Sequence, residues 1–66
     1  MEMEVILVEV FSPKKQKLGE DYAGSYIGNA NEINDIKSRI CRENGFEKYQ
    51  EHLCTIRMKH TKMILS

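Results

Sequence analysis

Met3-Glu4-Val5-Ile6-Leu7-Val8-Glu9-Val10-Phe11 is the stretch from which the fold is read. It is rich in β-branched residues, and Ser12-Pro13 ends it, because proline cannot donate to a sheet ladder. Successive side chains of a strand point to opposite faces. Met3, Val5, Leu7 and Phe11 therefore share one face, and Ile6, Val8 and Val10 share the other. A strand with one wet face should alternate polar and apolar residues. This one is apolar on both sides apart from Glu9 and the glutamates near its start, so both of its faces need a cover.

Outward from this strand, the polar stretch Lys14 to Asp21, with Gly19 available for a positive φ, reads as a hairpin tip. Tyr22 to Gly28 reads as a second strand, weakened by two glycines. Asn29 stands three residues before Glu32, the spacing of a capping box. Ile33, Ile36, Ile40 and Cys41 follow at helical spacing, with Ala30 extending the stripe. Asp35 and Arg39 are placed to pair on the opposite face. Asn44-Gly45 closes the helix, with Gly45 in the left-handed position and Phe46 packing back near Cys41. Phe46 to Leu53 fits either a short helix, with Phe46, Tyr49 and Leu53 on one side, or an ordered loop. From His52 to His60 the period becomes two: Cys54, Ile56 and Met58 point one way, Leu53, Thr55, Arg57 and Lys59 the other. Met63-Ile64-Leu65 reads as a short fourth strand or as a tail docked on the sheet.

The order β-β-α-β places the chain in the α+β class: one domain over residues 1–66, an antiparallel sheet, and a helix packed on one of its faces. One helix covers one face only. The second face of the first strand must then be closed by the Met63-Ile64-Leu65 tail, by a second copy, or by a partner. Val5, Leu7 and Phe11, with Tyr22 and Tyr26, are accordingly the candidate partner-binding residues.

Ten basic and ten acidic residues cancel, with a pI near 6.7. That balance excludes a strongly acidic DNA mimic and a generic basic nucleic-acid binder, so a nucleic-acid role has to rest on a local patch. Two such patches exist: Lys14, Lys15 and Lys17 at the hairpin, and Arg57, Lys59, His60 and Lys62 along the last strand. Tyr22, Tyr26 and Tyr49 are available as stacking surfaces. The competing reading of the same lysines is a solvated loop and a blunted edge strand. Two cysteines, Cys41 and Cys54, are too few for a disulfide-built secreted domain and are expected as free thiols. No signal-peptide pattern is evident, and the longest apolar run, Val5 to Val8, is too short for a bilayer. A soluble cytoplasmic protein without membrane contact is expected.

Catalysis is not expected, because nucleophile, base and orienter must converge in a pocket that a chain of this size rarely encloses. No cofactor or metal is expected either. Cys41, His52, Cys54 and His60 are four available ligands, but the close-spaced cysteine pairs of structural zinc sites are absent. Gly24 to Asn29 precedes a helix but lacks the lysine and spacing of a P-loop. The succession of strand, hairpin, strand, helix ending in Asn44-Gly45-Phe46, and Thr55-Ile56-Arg57 strand resembles several compact bacteriophage proteins that bind and block host enzymes such as RNA polymerase or toxin nucleases. The resemblance is architectural, covers most of the chain and transfers no functional residue. It implies a non-enzymatic inhibitor or accessory factor that binds a host or partner protein through its sheet. The alternative is a small nucleic-acid-binding regulator using Lys14, Lys15, Lys17, Arg57, Lys59 and Lys62. A homodimer with sheets packed back to back is the third reading.

Overall fold

The computed structural model describes residues 2–24 and 30–64. Strand β1 (Glu2–Phe11) is followed by β2 (Lys17–Tyr22), helix α1 (Ala30–Glu43), a single-turn helix α2 (Lys48–Glu51) and β3 (Thr55–Ile64). The three strands form an antiparallel sheet in the order β2-β1-β3, so the doubly apolar strand is central. Helix α1 lies on one face, against β1 and β2. The expected α+β class and β-β-α-β order are present.

The second strand lies earlier than its composition suggests. Lys17 to Asp21, expected as part of the hairpin tip, belong to β2, and Tyr22 is its last residue rather than its first. The cause is the economy of the turn. Ser12 Oγ accepts from the backbone N–H groups of Lys14 and Gln16, at 3.3 and 3.2 Å. The Ser12 carbonyl accepts from Lys15 N–H at 2.8 Å, and Ser12 N–H donates to the Gln16 carbonyl at 2.9 Å. Lys15 completes the reversal with φ 64°. The chain has turned by Gln16, so the following polar residues are drawn into register with β1 whatever their propensity. Leu7 pairs Tyr22, Val8 pairs Asp21, Glu9 pairs Glu20 and Val10 pairs Gly19. A bulge then sets Lys17 opposite Phe11, leaving Leu18 as the extra residue, packed against the core. Gly19 leaves room for α1: a Cβ there would lie 3.2 Å from Ile40 Cγ2. Residues 25–28 of the expected second strand, Tyr26 among them, lie outside the described residues, as do the Asn29 cap and Leu65.

Helix α1 buries Ile36, Ile40 and Cys41, with Ile33 packed alongside. Its end has the Schellman pattern: Phe46 N–H donates to the Cys41 carbonyl and Gly45 N–H to that of Arg42, with Gly45 at φ 83°. Arg39 binds Asp21 on β2 rather than Asp35, tying helix to sheet. Of Phe46, Tyr49 and Leu53, the expected apolar side of the segment around α2, only Phe46 packs against the core; Tyr49 and Leu53 are exposed. His52 sits in the turn after α2, so it does not share a strand face with Cys54.

The C-terminal expectation is corrected. There is no fourth strand among the described residues and no tail folded across the sheet: Met63 and Ile64 continue β3, opposite Met3 and Glu2. The Lys59–Lys62 stretch that read as a break is ordinary edge-strand sequence, where charged side chains are tolerated because one flank is wet. The core comprises Ile6, Val8 and Val10 of β1 with Ala23, Ile36, Ile40, Cys41 and Cys54.

Candidate functional site

The face of the sheet away from α1 carries the odd-numbered residues of β1. Val5 is buried at 2% exposure, Leu7 and Phe11 are half-buried, and Tyr22, opposite Leu7, is exposed. Midway along lies Glu9, 5% exposed. A buried carboxylate is costly unless paired, and two strands supply the pairing. Arg57 of β3 donates from Nε to Glu9 Oε1 at 2.9 Å and places Nη2 2.7 Å from the same oxygen, and Lys17 of β2 places Nζ 3.2 Å from Oε2. The Arg57 guanidinium also lies over the Phe11 ring, 5.4 Å from its centroid. Hydrogen bonding from Arg57, reinforced by Lys17, holds the Glu9 carboxyl below its ordinary range against the opposing effect of desolvation. The middle of this face is thus closed by charged side chains of the neighbouring strands.

The basic residues are divided by the fold. Lys17, Arg57 and Lys59 come to this face from the two separate clusters, while Lys62 projects on the helix side, 3.8 Å from Glu2. Lys14 and Lys15 remain exposed in the turn. Lys17 is shared between Glu9 and Glu20 and Arg57 is engaged with Glu9, so two of the three cations on the face are already neutralised. Lys59 has no carboxylate within ion-pair distance among the described residues.

A second surface lies on β3. A helix about 10 Å across spans two strands spaced about 4.8 Å apart, and α1 covers β2 and β1. Of the helix-side residues of β3 only Ile56 packs against the core; Met58 is 58% exposed and Ile64 79%. Strand β3 is also a sheet edge over all ten of its residues, with no described strand on its outer side. Its outward backbone groups can be assigned. Ile6 accepts from Ala23 N–H on the β2 side, so Val5 and Leu7 face β3 by alternation. Their β3 partners Thr61 and Lys59 therefore face inward, and the N–H and C=O groups of Met58 and Lys62 point away from the sheet. The period-two pattern correctly put Met58 on the same side as Ile56, but the helix does not reach it. The ratio of helix width to sheet width was the available signal.

Cys41 and Cys54 are buried free cysteines. Burial, with the neighbouring Cys54 thiol as the next cause, pushes the Cys41 thiol up to about 11, which leaves it protonated and a poor nucleophile or ligand at neutral pH. Among the described residues no three His, Cys, Asp or Glu side chains converge as a metal site, and no helix is long and apolar enough to cross a membrane. Comparison of the chain with protein-family models, with curated proteins and with solved structures finds no match.

Proposed function

We propose that this chain is a small non-enzymatic interaction protein that binds a partner protein through its sheet, acting as an inhibitor or accessory factor of the kind its architecture resembles. The observation that carries this reading is the uncovered edge strand: β3 exposes Met58 and Ile64 on the side where α1 leaves it bare. An apolar strip beside an open ladder is a surface that a protein can extend and bury. Nucleic-acid binding is the weaker reading, because Glu9, Glu20 and Glu2 engage Lys17, Arg57 and Lys62, and a phosphate backbone would have to displace those carboxylates.

The test is capture from a nuclease-treated cell lysate on immobilised full-length chain, compared with Met58→Glu. A protein retained by the wild type and lost with Met58→Glu is the expected result. Retention that vanishes on nuclease treatment, or that Met58→Glu leaves unchanged, overturns the assignment to this surface.

A further inference from the structure

We propose that β3 is a strand-addition site for an extended acidic segment, in which a partner peptide alternating acidic and apolar residues pairs with the outer edge of Thr55–Ile64. This rests on the partner-binding reading above and specifies the chemistry of the partner.

Three observations converge. The N–H and C=O groups of Met58 and Lys62 point outward from an edge strand, so a ladder is already half built. The helix-side face of β3 offers Ile56, Met58 and Ile64 as cross-strand neighbours for apolar side chains. The opposite face offers Lys59, exposed and in no ion pair among the described residues, beside an Arg57 that is engaged with Glu9. Along Thr55 to Lys59 an added strand would thus meet Ile56 and Met58 on one face and Lys59 on the other; beyond that half the helix side carries His60 and Lys62 before Ile64. The charge of β3 selects among occupants. It carries Arg57, Lys59 and Lys62 and no acidic residue, so a second copy paired edge to edge would crowd cations beside cations. A nucleic acid has no strand backbone to complete the ladder. An acidic extended peptide satisfies the hydrogen bonds, the apolar strip and the charge together.

The probe is a fluorescein-labelled blocked peptide alternating glutamate and valine over about nine residues, long enough to span β3, with a lysine-for-glutamate counterpart. Fluorescence anisotropy is read with the full-length chain. The glutamate peptide should bind at least about tenfold more tightly than the lysine peptide, and the Met58 and Lys62 amides should gain hydrogen-exchange protection when it binds. Met58→Pro removes an outward donor while sparing the ladder to β1 and should weaken binding about tenfold or more. Lys59→Glu should reverse the peptide preference. Equal binding of the two peptides, or glutamate-peptide binding without protection at Met58 and Lys62, overturns the proposal. If Met58→Pro fails to fold by circular dichroism, Lys59→Glu and the wild-type exchange data decide. Lysate capture that succeeds while the peptide tests fail leaves the partner reading standing without strand addition; failed capture with successful peptide tests does the reverse.

Discussion

Glu9 is the residue on which the sheet's second face depends. It interrupts an otherwise apolar strand, and the structure turns that interruption into a junction between β2 and β3 through Lys17 and Arg57. Its carboxyl, and that of Asp21 under Arg39, are held below their ordinary values of 4.5 and 3.8. A carboxyl whose folded value is depressed contributes stability that is fully present above the unfolded value and is lost as pH falls through the folded one. Denaturation midpoints should therefore decline as pH drops below about 4.5. Glu9→Gln should start lower at neutral pH and show a shallower acid decline, measured by urea titration at several pH values. Gly45 makes a second residue-scale case. A Cβ there meets nothing within 4 Å, so the whole cost of Gly45→Ala is conformational, about 1–2 kcal/mol by chemical denaturation.

Among the elements, β3 departs most from its sequence reading, and its register gives a pointed test. Thr61 faces β1 and Lys62 faces away, although they are neighbours on one strand. Thr61→Pro should break a ladder bond and cost about 3 kcal/mol, the scale of proline in a hydrogen-bonded position. Lys62→Pro should cost clearly less, because it removes an outward donor and an exposed ion pair. Equal costs in thermal melts would show that the register is wrong by one residue. Strand β2 teaches the complementary lesson. Its Lys-Leu-Gly-Glu-Asp-Tyr sequence has little β character, and it is a strand because Ser12 closes the turn before it and Val8 and Val10 lie beside it. The α1 stripe and its Gly45 terminus needed no such help, since their signals are local.

At the scale of the whole molecule, the chain is small enough for individual contacts to matter. Stability of roughly 0.05–0.15 kcal/mol per residue implies a total of about 3–10 kcal/mol for 66 residues. Val8, fully buried, should cost about 2 kcal/mol when changed to alanine, whereas Met58→Ala, at 58% exposure, should stay within about 0.5 kcal/mol. That contrast, read by urea denaturation, separates the core from the candidate partner surface. The amino-acid sequence by itself determined the doubly apolar character of β1, the helix with both its buried stripe and its stop, the balanced charge, and the existence of surplus apolar surface. These follow from periodicity and composition, which are properties of neighbouring residues. Only the tertiary structure decided where the surplus lies. Glu9, Lys17 and Arg57 close the middle of the back of β1 because three strands bring residues 9, 17 and 57 together, and Met58 stays bare because one helix is two strands wide beneath a sheet of three.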